Sequence, residues 1–145
     1  MTNRTLPKII FTTGCAFAGV SVLLGAFGAH ALKDLLTTTQ LNSFETGVRY
    51  QFMHAITLVV LALGARKLNE NVLKIVYNLF TIGIVLFSFS IYLLATSELI
   101  GEAENIKKIG FITPIGGLFL ISAWGVLSIK GYEPRRHRPI VKTSA

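Results

Sequence analysis

Two histidines are the side chains of this sequence best suited to chemistry. His30 ends the apolar run "GAFGAHAL", and His54 lies within the apolar stretch "YQFMHAITLVV". An imidazole can bind a metal ion, carry a proton or hydrogen-bond to a neighbouring helix. An ionisable group inside such a segment is a functional candidate by default, so each histidine needs a chemical or a structural explanation.

A zinc site or a catalytic centre would need more than these two imidazoles. Two histidines and Glu45 could in principle ligate zinc. The sequence contains no HxxxH or HExxH pattern, and its single cysteine, Cys15, is expected near the opposite end of the molecule. No nucleophile is paired with a base, and no phosphate-binding loop is present. We therefore expect no metal, no cofactor and no catalysis; an intramembrane enzyme or metal site is the weakest alternative.

The composition indicates that these residues lie in a membrane protein. Of the 145 residues 52% are apolar and 14% are charged, against roughly 25% charged in soluble domains, and the mean hydropathy is +0.61. Four windows have about the 20 apolar residues that a bilayer demands: 9–31, 48–65, 72–95 and 109–129. They predict an all-α integral membrane protein, a four-transmembrane-helix bundle in a single domain, 1–131. A basic, flexible cytoplasmic tail, 132–145, is predicted to follow it.

The charge distribution predicts the orientation of the bundle. Four spans place both termini on one side, together with ten of the fourteen basic residues. The other side keeps Lys33, Arg49, Lys107 and Lys108 and five of the seven acids. The positive-inside rule then places both termini in the cytoplasm, with Trp124 at the cytoplasmic end of span four. The sequence pI near 9.9 is thus explained by topology and anionic lipid, and no nucleic-acid partner is expected.

Most hydrogen-bonding side chains of the predicted spans fall in the external half of the bundle. Span one runs outward, span two inward and span three outward, which brings polar residues from all spans to the same side. The candidate external polar cluster comprises His30, Glu45, Arg49, Tyr50, Gln51, His54, Ser90, Tyr92, Thr113 and Pro114. Ser88 lies in the same half.

Two pairs within this cluster stand at helical i,i+4 spacing. Glu45 and Arg49 are in the favourable order for an ion pair, and Tyr50 and His54 form the second pair. His30 is expected near His54 at the external rim. The simpler explanations are that His30 marks a helix end at water and that His54 hydrogen-bonds to Tyr92 or to a serine across the bundle.

Small residues predict how the helices pack. Gly14, Ala18, Ser21, Gly25 and Gly28 are spaced 4, 3, 4 and 3 residues apart, which places them on one helix face where another helix can approach closely. Gly116 and Gly117 are predicted to pack in span four, where Pro114 either kinks the helix or begins its regular part. The helix of span two is expected to begin near residues 39–42, with a capping box formed by Asn42 and Glu45.

Four segments carry a family resemblance: "GAFGAHAL", "FETGVRYQFMHA", "FSFSIYLLA" and "ITPIGGLFLISAW". From residue 9 to residue 129 the chain resembles the domain-of-unknown-function family 423 (DUF423, or UPF0382), small inner-membrane proteins that include relatives of transmembrane protein 256. The resemblance implies a four-helix protein of the bacterial inner membrane without established activity. It omits the loop 97–108 and the tail, and Phe89 stands where the family often has glycine. The motif positions are Gly25, Gly28, His30, Glu45, Arg49, Tyr50, Gln51, His54, Ser90, Tyr92, Thr113, Pro114, Gly116 and Gly117.

Two functions from different classes remain open. The sequence favours a structural or accessory component that associates with a larger membrane complex, or with itself, through small-residue helix faces. The alternative is a small binding or transport module, in which the external polar cluster lines a pocket for a small apolar or amphipathic molecule or a proton. The expected partners are the lipid bilayer and other membrane-protein subunits.

Overall fold

The computed structural model describes residues 5–131, and every long segment within that range is helical. The helices are α1 (Thr5–Phe27), α2 (Thr38–Gly64), α3 (Glu70–Ile84), α4 (Ser90–Thr96), α5 (Ala103–Lys107) and α6 (Ile112–Lys130). They are extended by a π-helical turn after α1 (Gly28–Leu32), a 3₁₀ turn after α2 (Ala65–Lys67) and a π-helical turn between α3 and α4 (Val85–Phe89). The predicted tail, 132–145, lies outside the described residues.

Four helical segments are long and apolar enough to cross a membrane, and they are called spans one to four below: Thr5–Leu32, Thr38–Lys67, Glu70–Thr96 and Ala103–Lys130. At 1.5 Å per residue each exceeds the roughly 30 Å of a hydrocarbon core. Each of the four predicted windows lies within one of these segments, so the all-α, four-span fold class is confirmed. The helices run beyond the windows because backbone hydrogen bonding continues where hydropathy falls.

The start of span two differs from the expected capping box. Thr37 is the N-cap: its hydroxyl accepts from Gln40 N at 3.3 Å, and its own N–H donates to Gln40 Oε1 at 2.9 Å. The box of Asn42 and Glu45 was therefore wrong. The helix begins at Thr38, one residue before the expected range 39–42, so Asn42 is already inside it and its carbonyl accepts from the Thr46 hydroxyl.

The bundle has two ends, named here by their connections. The α1–α2 end carries the connections 33–37 and 97–102, and the α2–α3 end carries the tight turn 68–69. At the α1–α2 end Gln40 Nε2 donates to Glu98 Oε2 at 3.0 Å, which joins the first turn of α2 to the connection 97–102. At the α2–α3 end Asn69 caps α3 by accepting from Asn71 N at 2.9 Å.

The small-residue stripe of α1 lies against α2 of the same chain. A Cβ on Gly14 would stand 2.9 Å from the carbonyl oxygen of Ala55, which is closer than a real Cβ comes, and a Cβ on Gly28 would stand 3.3 Å from the Phe44 ring. Gly25 faces Val48, and the stripe's Ser21 is 1% exposed. The small-residue stripe is therefore covered by α2 and is not available to a helix of another protein.

The second close approach joins α6 to span three. A Cβ on Gly116 would collide with the backbone of Phe87 in the π-helical turn, and one on Gly83 would stand 2.6 Å from Leu120. Gly117 is in ordinary contact range of Phe87. Pro114 occupies the first turn of α6, where backbone N–H groups have no intrahelical acceptor, so it begins the regular helix.

The buried interior is divided along the bundle. A larger apolar cluster centres on Phe80, Leu58 and Val76, each fully buried, and reaches Ile10 on α1. A smaller cluster around Leu32 and Phe44 closes the α1–α2 end. Polar side chains pack on both clusters: His54 lies against Phe80 of the larger one and Tyr92 against Phe44 of the smaller one.

Candidate functional site

Gln51 joins three helices through its side-chain amide. It is 5% exposed, its Nε2 donates to the Phe17 carbonyl of α1 at 3.0 Å, and its Oε1 accepts from the Tyr92 hydroxyl of α4 at 3.0 Å. An amide suits this position because it offers donors on one side and an acceptor on the other. A Cβ on Gly47, one turn earlier, would stand 2.7 Å from the Tyr92 ring, so the glycine makes room for the phenol.

His54 is hydrogen-bonded through both ring nitrogens. Its Nδ1 lies 2.7 Å from the Tyr50 carbonyl, and its Nε2 accepts from Trp124 Nε1 of α6 at 3.2 Å. A carbonyl only accepts and an indole N–H only donates, so Nδ1 carries the proton and Nε2 does not. The imidazole is therefore neutral, and its lone pair is directed to Trp124 and is not free for a metal ion.

Aromatic rings from three spans surround this imidazole. Ring centroids lie 5.5 Å apart for His54 and Phe80 and 5.3 Å apart for Phe80 and Trp124, the latter edge to face. Tyr50 stacks towards His54 at 6.0 Å and packs on Phe87 at 4.7 Å. Trp124, predicted as an interfacial marker, thus has a second role: its ring is half exposed, and its N–H points into the bundle.

Ser90 and Thr113 form a third link, between α4 and α6. Ser90 Oγ lies 2.6 Å from the Leu86 carbonyl and 2.7 Å from Thr113 Oγ1. A serine has one proton, which Ser90 gives to the carbonyl, so Thr113 donates to Ser90. The Ser90 hydroxyl thus bonds to backbone carbonyls of the π-helical turn, as lipid surroundings require.

The structure does not bring His30 to His54. His30 is exposed in the last turn of span one, whereas His54 is buried. Gly28, in the same turn as His30, lies against Phe44, and His54 is ten residues further along α2, which is roughly 15 Å. The prediction that the two histidines are neighbours is wrong. It placed both at the external end of the bundle, whereas His54 lies near the middle of α2.

The predicted ion pair of Glu45 and Arg49 is also not formed. Both side chains are exposed, and Arg49 Nη2 donates to Thr46 Oγ1 at 3.2 Å instead. An exposed pair gains too little in water to hold two long side chains in one geometry. Within residues 5–131 the ion pair present is Lys74 with Glu70, at 2.9 Å.

Sequence reasoning missed several members of this network. Trp124 and the Phe17 carbonyl were not expected as partners, and Gly47 was not singled out. A sole tryptophan inside an apolar helix was the available signal, because a buried indole N–H requires an acceptor. No three metal-binding side chains are grouped within the described range. The arrangement as a whole fixes the relative positions of α1, α2, α4 and α6.

Comparison with known proteins places the chain among membrane proteins of unknown function. The family model described as "Protein of unknown function (DUF423)" matches residues 24–117, which includes the loop 97–108 that the resemblance had omitted. A UPF0382 membrane protein of Staphylococcus haemolyticus is 34% identical over 126 residues, 87% of this chain and 97% of its own.

Two further relatives extend the comparison. The UPF0382 membrane protein YwdK of Bacillus subtilis is 38% identical over 119 residues, 81% of this chain and 90% of its own. The UPF0382 inner membrane protein YgdD of Escherichia coli is 29% identical over 136 residues, 94% of this chain and 95% of its own. No solved structure matches. The family match and the four apolar helices together show that this chain belongs to the UPF0382 (DUF423) family of membrane proteins.

Proposed function

We propose that this protein is an accessory component of a membrane assembly and packs against a transmembrane helix of another membrane protein. The observation that carries the proposal is the outer α1 face, defined as Cys15, Ala16, Gly19 and Ala26, all exposed. A Cβ on Gly19 would have no atom within 4 Å. Small residues let two helix backbones approach closely, and this close packing stabilises the association of helices in a membrane. A lipid chain has no helix backbone to pack in this way.

The position of α1 in the bundle supports this assignment. In the most apolar stretches of spans one and four 17% of the residues are buried, against 33% in spans two and three. Span one therefore lies at the edge of the bundle, with its stripe against α2 and the outer α1 face directed away. The edge position leaves this face accessible to another helix.

The polar network favours association over a binding or transport pocket. Gln51 and His54, the two most buried polar side chains of the cluster on α2, direct their hydrogen bonds to Phe17, Tyr92 and Trp124. Groups that are already paired have less to offer a ligand. We propose in addition that the protein is not an enzyme and has no resident cofactor; in support, this pairing leaves no nucleophile beside a free base among residues 5–131.

Both termini are proposed to lie in the cytoplasm, in a bacterial inner membrane. At the α2–α3 end the described basic residues are Lys8, Arg66, Lys67, Lys74 and Lys130, with one acid, Glu70. The α1–α2 end carries more acids than bases. The positive-inside rule supports this orientation, and one of the relatives is named an inner membrane protein.

The association is tested by native mass analysis of the tagged protein after mild extraction from its own membranes. We expect a heteromeric mass above that of the 15.8 kDa chain and its loss in Gly19→Leu. The matched control is Gly125→Leu, since Gly125 on α6 is equally open but lies on a different helix. Both substitutions replace an exposed helical glycine, so neither is expected to unfold the bundle.

Three results would contradict the proposal. A bare monomer would leave no partner to explain, and a homo-oligomer would make a second copy the occupant of this face. A heteromer that survives Gly19→Leu and is lost in Gly125→Leu would move the interface to α6.

A further inference from the structure

Two neighbouring cations end α2 at the α2–α3 end of the bundle. Arg66 and Lys67 form the 3₁₀ turn together with Ala65, and both of their side chains are exposed. Among residues 5–131 the ion pair present joins Lys74 to Glu70, so Arg66 and Lys67 have no carboxylate partner in that range. Two such cations side by side are suited to bind an anionic group.

The charge around this pair is positive, and the charge at the opposite end is not. The α2–α3 end carries five described bases and one acid, whereas the segments 33–37 and 97–111 at the other end carry three bases and four acids. Leu6 of α1, Leu68 and Leu127 of α6 pack against the same apolar cluster, and four of the five bases lie within three positions of one of these leucines. The cations of three chain segments therefore surround one end of the bundle.

Next to the two cations α2 carries an exposed apolar stripe. Ile56, Val60, Leu63 and Lys67 are spaced 4, 3 and 4 residues apart, which places them on one helix face. The exposed fraction of the apolar side chains rises towards the turn, from 42% to 61% and 73%. A Cβ on Gly64 would meet no atom within 4 Å, so the helix surface is open there. From Ile56 to Lys67 the stripe is roughly 16 Å long, about the depth of the hydrocarbon in one leaflet.

The chemistry of this face suits a phospholipid better than a helix of another protein. The outer α1 face has small residues that allow close backbone approach, whereas the α2 stripe has branched, larger side chains that do not. An apolar length of one leaflet that ends in cations matches the two parts of a phospholipid. Because the cations have no carboxylate partner among the described residues, the headgroup they attract is an anionic one.

We propose that the α2 stripe (Ile56, Val60, Leu63 and Lys67, with the adjacent Arg66) binds one anionic phospholipid. The lipid phosphate accepts hydrogen bonds from Arg66 and Lys67, and an acyl chain lies along the three apolar side chains. The lipid thereby holds the 3₁₀ turn at the level of the membrane phosphates. The stripe and the outer α1 face are on different helices, so this proposal and the proposed function fail separately.

The test is native mass spectrometry of the full-length protein in detergent with equal amounts of dioleoylphosphatidylglycerol and dioleoylphosphatidylcholine. We expect the wild-type protein to retain one phosphatidylglycerol in preference to phosphatidylcholine. Each base near an anionic lipid contributes about fivefold in affinity, so the double variant Arg66→Gln, Lys67→Gln should bind phosphatidylglycerol about 25-fold more weakly. Inorganic phosphate in excess should not displace the lipid, because it has no acyl chain.

The matched control is the double variant Lys107→Gln, Lys108→Gln, which removes two neighbouring exposed cations from the opposite end and changes the net charge equally. It should keep the preference for phosphatidylglycerol. All four substitutions replace exposed side chains, so neither double variant is expected to unfold the bundle. Equal retention of both lipids by the wild-type protein overturns the proposal, as does unchanged binding in the Arg66, Lys67 variant. An equal loss in both double variants, or displacement of the lipid by inorganic phosphate, also overturns it.

Discussion

The bond between Gln51 and Tyr92 predicts a measurable coupling between spans two and three. Gln51→Met keeps the length of the side chain but removes both interhelical bonds of the amide. The Phe17 carbonyl keeps the hydroxyl of Ser21, whereas the Tyr92 hydroxyl loses its acceptor. We therefore expect Gln51→Met to lower the free energy of unfolding by about 1–3 kcal/mol.

A double-mutant cycle isolates the bond itself. Tyr92→Phe leaves the Gln51 oxygen unpaired, and the double variant removes both partners together. Interhelical hydrogen bonds in membranes average about 0.6 kcal/mol and reach about 1.7 kcal/mol. The loss in the free energy of unfolding of the double variant should thus be smaller than the sum of the two single losses by about 1 kcal/mol.

Unfolding can be followed in mixed detergent micelles by the fluorescence of Trp124, the only tryptophan. Tyr50→Phe is the control for loss of a phenol, since Tyr50 is 40% exposed and its hydroxyl makes no hydrogen bond with the described residues. It should change the stability by less than about 0.5 kcal/mol. Strict additivity of Gln51→Met and Tyr92→Phe would refute the reasoning.

Three further substitutions test other parts of the account. His54→Phe deprives Trp124 of its acceptor and should lower the stability by about 1–3 kcal/mol and shift the tryptophan emission to shorter wavelength; an unchanged spectrum would contradict the bond. Gly116→Ala places a Cβ against the Phe87 backbone and should lower the stability by about 1–3 kcal/mol in detergent unfolding, whereas Gly125→Ala, in open space, should be neutral or stabilising; equal effects would rule out the close contact. Thr37→Ala removes the N-cap of α2 and should lower the unfolding free energy by about 0.5–2 kcal/mol, and no loss would reopen the position of the cap.

The four spans could be predicted because the bilayer sets a length and a hydropathy that the sequence must meet. The same reasoning brought Tyr92 to the level of Gln51 and Ser90 to the level of Thr113, since depth follows from position along each span. Depth failed for His54 because it was counted from the start of the apolar window at residue 48, whereas α2 begins at Thr38 and His54 lies near its middle. A rim residue and a mid-helix residue were thereby placed at the same level.

Contacts between spans could not be predicted from the sequence. The bond from Trp124 to His54 joins residues 70 positions apart, and it depends on the rotation of α6 about its axis. The stripe of α1 was identified as a packing face, but composition does not say whether α2 or another protein covers it. The π-helical turn Val85–Phe89 was not predicted either; its backbone lies against Gly116, and that contact depends on how α6 packs on span three.

The central claim, that the outer α1 face packs against another protein, is tested most directly by photo-crosslinking in living cells. A photoreactive residue at Leu23, which is 71% exposed one turn after Gly19, is compared with one at Leu63 of α2, which is 73% exposed. We predict a discrete protein adduct from position 23 and none from position 63. Lipid adducts alone at both positions would contradict the claim and leave this face to the bilayer.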